Sequence, residues 1–96
     1  MNLVEAREAY SALSKMFKEF EANLEDGEYV AVSGVGPNSR EFMVQQVSRV
    51  ENLVRIVGAD DDDQFHELIF APSQISLSLF AHKYVGNRDP IGFHQE

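Results

Sequence analysis

Cysteine is absent from the 96 residues. That excludes a disulfide framework, a thiolate metal site and a cysteine nucleophile. Basic side chains are scarce, 8 against 16 acidic ones, and the formal net charge is −8. Nucleic-acid affinity normally draws on a basic face that neutralises phosphate, so this balance disfavours a broad electrostatic footprint. Such binding would need the few arginines to converge. An anionic membrane surface is disfavoured on the same ground. Long apolar runs are also missing: none approaches the ~18 residues that cross a bilayer, and the start has no signal-peptide profile. The cytoplasm is the expected compartment.

What is present fits one domain. Apolar residues make up 44% and charged residues 25%, the balance of a folded chain rather than a disordered one. The length leaves no room for a second core, and residues 1–96 are read as a single unit with no internal repeat.

Residues 3–24 carry Leu3, Ala6, Tyr10, Leu13, Phe17, Phe20 and Leu24 at steps of three or four, which places all seven on one helix face. Asn2 suits the N-cap, and Gly27 supplies a left-handed residue after the end. Lys15 and Glu19 are spaced to pair on the solvated side. From Glu28 onward the texture changes to short β-branched runs between turn signals. Tyr29–Ser33, Leu53–Ala59, Phe65–Phe70 and Ile75–Ala81 read as strands. The last alternates Ile75, Leu77, Leu79 and Ala81 against Ser76 and Ser78, so one side should be buried. Asp60, Asp61, Asp62 and Asp63 form a like-charged run, expected to be a solvated loop. The tail from residue 84 to 96 has little periodicity and reads as loop.

Residues 34–40, GVGPNSR, raise the question of a phosphate-cradling loop. Ser39 replaces the third glycine of that pattern, and Pro37 removes an amide the cradle would use. The following stretch, REFMVQQVSRVEN, holds Met43, Val47, Val50 and Val54 at helical spacing. However, valine recurs at 44, 47, 50, 54 and 57, and its branched Cβ suits a pleated surface better. A turn leading into a long bent strand is therefore expected. One helix then precedes five strands, and curling into a small barrel is one way to manage open edges.

No catalytic constellation accompanies this pattern. The serines lie in no nucleophile-elbow context, and His66, His82 and His94 match no zinc spacing. An EF-hand loop starting at Asp60 would need glycine and glutamate where Phe65 and Ala71 stand. A non-enzymatic protein without metal or cofactor is expected.

The helix followed by a bent five-stranded barrel resembles the Sm-like family, which includes the bacterial Hfq proteins, and has the look of its divergent phage members. The family's first motif runs phenylalanine-aspartate, two variable residues, then methionine-asparagine-leucine-valine. Here Val47-Ser48-Arg49-Val50-Glu51-Asn52-Leu53-Val54 agrees at the asparagine, leucine and valine, with Ser48 in place of the aspartate. The second motif centres on an arginine-glycine pair, where this chain has Ala71 and Pro72, followed by Gln74. The resemblance spans about residues 3–83 as architecture and a few positions as chemistry. It implies an α+β, mainly β chain with a barrel over about 28–83. It also implies a homo-oligomeric ring of five to seven subunits, closed by pairing the fourth strand of one copy with the fifth of the next. Its central loops would bind RNA or single-stranded nucleic acid, with Asn52 contacting a base and Arg49, Gln74 and Ser48 assisting. On its own residues, Asn52 equally suits a tight turn between strands. Arg49 and Arg55 could also pair with Glu51. The alternative to a nucleic-acid ring is a structural or adaptor ring that binds another protein.

Overall fold

Apolar spacing of 3.6 residues gives way to β-branched pairs of residues near position 28, and the backbone follows that change. The computed structural model describes residues 3–33, 40–71, 77–83 and 90–95. Helix α1 spans Leu3–Ala22. It is followed by β1 (Glu28–Ser33), β2 (Glu41–Val50), β3 (Leu53–Ala59), β4 (Phe65–Phe70), β5 (Ser78–Lys83) and β6 (Gly92–Gln95). The loop GVGPNS, the proposed cap Asn2, and Gln74 lie outside the described residues.

Helix α1 buries Ala6, Tyr10 and Phe17 and half-buries Leu13 and Phe20, the stripe its spacing predicts. These side chains meet Val30 and Val32 of β1, Phe42, Val44 and Val47 of β2, and Val54 and Ile56 of β3. Each such aliphatic or aromatic side chain contributes roughly 1.5–3 kcal/mol when fully buried, so this seam is the main source of stability. Lys15 and Glu19 approach to 4.0 Å on the solvated side, an exposed pair of little energetic weight. Gly27, with φ of 82°, makes the turn into β1.

The strands form one sheet in the order β4-β3-β2-β1-β5, with all neighbours on that path antiparallel. Residues 41–50 are strand throughout, so the valine-rich reading prevails over the helical one. The long strand bends where its register shifts between Val44 and Gln46. Gly58 lies opposite this bulge: a Cβ there would stand 1.7 Å from the Met43 carbonyl oxygen. The glycine in LVRIVGA thus permits the close crossing that the bulge requires.

Beyond the bend, β2 exchanges partners. Its first part pairs with β1 through Ala31–Met43, Val32–Phe42 and Ser33–Glu41. Its second part pairs with β6, in parallel, from Gln46–Gly92 to Arg49–Gln95. The tail expected to be loop therefore contributes a sixth strand, and Ile91 just before it is buried in the core. The reason is positional: β1 peels away at the bulge and leaves the β2 edge unpaired, and four residues suffice to cover it.

Two other expectations are corrected. The fifth strand is described from Ser78, with Leu77 before it outside the strand and Ile75 and Ser76 outside the described residues; Ala81, expected inside, is exposed. The sheet is not closed into a barrel: β4 and β5 end the path and do not pair with one another. The fold is an N-terminal helix packed on an open, mostly antiparallel sheet. No helix among the described residues is long and apolar enough to cross a membrane.

Candidate functional site

Strand β3 carries a polar feature at each end. At its start, Val50 and Leu53 pair and the connection between them is only Glu51 and Asn52. Such a tight hairpin needs left-handed backbone at its first central residue or at both. Glu51 takes it with φ of 55°, although a glycine would occupy that region without strain. Asn52 is exposed, as are its neighbours Glu51 and Leu53. Its amide offers both donors and an acceptor to solvent.

The turn is held from beneath. Arg49 is only 1% exposed, and its Nη1 donates to the Glu51 carbonyl. Its Nε is buried without a hydrogen-bond partner among the described residues. Ser48, 6% exposed, lies one residue earlier between Arg55 of β3 and His94 of β6 in the register. Of the four residues named from sequence, Asn52 is thus presented to solvent, Arg49 supports the turn from the interior and Ser48 is buried. Gln74 lies outside the described residues. The arginines do not pair with the Glu51 carboxylate as anticipated: Arg49 uses the backbone carbonyl, and Arg55 forms its ion pair with Glu67 across β3 and β4.

At the other end of β3 the aspartate run is not uniformly solvated. Asp60 has its side chain 2% exposed, whereas Asp61, Asp62 and Asp63 are exposed. Asp60 Oδ1 accepts the backbone amides of Asp62 at 2.9 Å and Gln64 at 3.0 Å. Its Oδ2 lies 2.6 Å from His66 Nε2 and 3.5 Å from Arg40 Nη1. Arg40 also donates to Asp62 at 3.1 Å. The His66 ring stacks on Phe42 at 5.4 Å between centroids. The hydrogen bond from His66, followed by the two backbone amides and the Arg40 charge, overcomes the cost of burial and holds the Asp60 carboxyl down at about 2, from an ordinary 3.8. The contacts with Asp62 and Asp60 in turn raise the Arg40 guanidinium. Both Asp60 oxygens are engaged by protein groups, so this loop is organised by the chain's own backbone amides and side chains. No group of three or more His, Asp or Glu among the described residues is arranged to hold a metal ion.

Sequence reasoning missed this cluster because its members come from three places: Arg40 precedes β2, Asp60 follows β3 and His66 lies in β4. The only local signal was that Asp60 begins the run directly after an apolar strand, where a side chain can still turn inward. Comparison with models of protein families, with curated proteins and with solved structures gives no match to this chain.

Proposed function

We propose that this chain is a non-enzymatic, Sm-like protein that assembles into a ring and binds RNA or single-stranded nucleic acid through the β2–β3 turn. The observation that carries the reading is the presented asparagine. Glu51 accepts a left-handed backbone, a buried arginine secures its carbonyl, and Asn52 is exposed beside it at the hairpin tip. Strained backbone tends to be kept where a side chain must be aimed. A carboxamide can pair with a base edge, and in RNA the unstacked bases of single strands are the ones open to such reading. In this proposal Asn52 contacts the base, Arg49 acts by holding the turn, and Ser48 and Gln74 belong to the surroundings of the same loops.

The sheet's open ends support assembly. Strand β4 exposes Phe65 (80%) and Ile69 (58%), and among the described residues β5 is the opposite free edge. An unpaired edge with apolar side chains favours another strand, and joining β4 of one copy to β5 of the next gives a head-to-tail interface that closes into a ring. Five to seven copies is the ring size that the Sm-like resemblance implies.

Fluorescence titration with short U-rich and A-rich RNAs at low and moderate salt tests the proposal. Binding by the wild type that weakens about tenfold or more in Asn52→Ala, with assembly mass unchanged, is the expected outcome. Equal binding by both forms would remove Asn52 from the mechanism.

One observation favours a second reading, a ring that binds protein. An apolar groove of about 390 Å³ runs between α1 and the sheet, lined by Ala9, Ala12, Leu13, Met16, Phe70 and Leu79. Met16 is 55% exposed there. An intact ring that ignores RNA even at low salt would favour this reading.

A further inference from the structure

A second cavity, also about 390 Å³, lies between α1 and β6, with Tyr10, Ser11, Ser14, Lys15, Lys18 and Phe93 in its walls. This is within the size range of small-ligand sites. Ser14 is 6% exposed, and its hydroxyl is buried with no hydrogen-bond partner among the described residues. A helical serine usually bonds the carbonyl one turn back or faces water, and this one does neither. Rotation about its single side-chain torsion is enough to redirect the hydroxyl.

Two cations line this cavity. Arg40 and Arg55 are committed to carboxylates, and Arg49 is buried under its turn. Lys15 and Lys18 instead share one cavity. Lys18 has no carboxylate partner among the described residues; its ammonium stands 4.8 Å from the Phe93 ring centroid, a cation–π placement that fixes its position. Glu19 also lines the cavity, but its contact with Lys15 is 4.0 Å long and both side chains are mostly exposed, so an oxyanion can displace it. The Tyr10 hydroxyl is directed to the Val47 carbonyl at 3.4 Å, which leaves its ring as wall.

We infer that the cavity between α1 and β6 binds the phosphate group of a nucleotide-sized ligand, with Lys18 and Lys15 supplying charge and Ser14 a hydroxyl donor. The site is separate from the Asn52 turn and does not depend on it. The phosphate could belong to a free nucleotide or to a nucleic-acid strand, and the two sources are separable by experiment.

The test is a two-dimensional NMR titration of the full chain with inorganic phosphate, uridine monophosphate, uridine, and an oligouridylate that lacks a terminal phosphate. Saturable shifts at Ser11, Ser14, Lys15, Lys18 and Phe93 with phosphate or the monophosphate, and none with uridine, are expected. If the oligouridylate moves the same signals more tightly than the monophosphate, the source is a strand; if it does not move them, it is a free phosphate. Lys18→Gln, an exposed change on the helix, should weaken binding about tenfold, and Ser14→Ala several-fold, while Arg7→Gln outside the cavity leaves it unchanged. Asn52→Ala should also leave it unchanged, which separates this site from the proposed base-reading turn. Equal weakening by Lys18→Gln and Arg7→Gln would mean diffuse attraction of an adventitious ion only. That result, or the absence of saturable shifts at these residues, overturns the inference.

Discussion

Glu51 occupies a backbone region that costs a non-glycine residue on the order of 1 kcal/mol. Replacing it by glycine removes that strain while enlarging the entropy of the unfolded chain. Glu51→Gly is therefore expected to be neutral or to stabilise by up to about 1 kcal/mol, and the β-branched Glu51→Val to lose about 1–2 kcal/mol. Urea midpoints check both, and a large loss in the glycine variant would contradict the assignment of strain. Asp60 supplies a pH dependence at the same scale. Its folded pKa, about 2, lies below the ordinary 3.8. The stabilisation is thus fully present above 3.8 and is lost as pH falls from there through about 2. Asp60→Asn should be less stable than the wild type at neutral pH. The gap should narrow through that acid window, measured as urea midpoints at successive pH values. A gap that is constant with pH would mean that the hydrogen-bond geometry matters and the charge does not.

At the scale of elements, the bulge in β2 and the glycine opposite it act as one device. Gly58→Ala would drive a Cβ into the Met43 carbonyl, backbone against backbone, with no flexible side chain to yield. A loss of more than about 2 kcal/mol is expected, or a fall of roughly 8 °C or more in Tm for a domain of this size. A near-neutral result would show that the crossing is looser than described. The elements that the sequence makes legible are those with period and length. The stripe from Ala6 to Phe20 specifies α1, and repeated valines specify β2 in spite of a competing helical spacing. β6 is not legible because four residues carry no readable alternation; it is a strand only because β1 departs at Val44 and leaves an edge to fill. The position of Asn52 in a turn was readable from its type. The burial of Arg49 and Asp60 was not, since it depends on a strand bend and on partners from other segments. Ser14 did carry a signal: it lies four residues after Tyr10 and three before Phe17, on the buried stripe itself.

At the scale of the whole molecule, two features oppose each other. Each chain carries a net charge of −8, so copies repel and binding of nucleic acid gains little from long-range attraction. Among the described residues the sheet nevertheless ends in two unpaired edges, one of them bearing Phe65 and Ile69, which favours assembly at short range. In the proposed ring, edge pairing with apolar cover would offset the repulsion when salt screens it, since exposed charges beyond about 10 Å are largely masked at 0.1 M. A ring that gathers several copies of the Asn52 turn around one strand would replace diffuse charge with repeated base contacts. The measurement that tests this account most directly is the native mass of the protein mixed with a short oligouridylate. The account predicts a species of five to seven chains of 10.8 kDa carrying one strand, which keeps its protein mass but loses the strand in Asn52→Ala. A free 10.8 kDa monomer at assay concentrations, or a strand retained in full by Asn52→Ala, would contradict it.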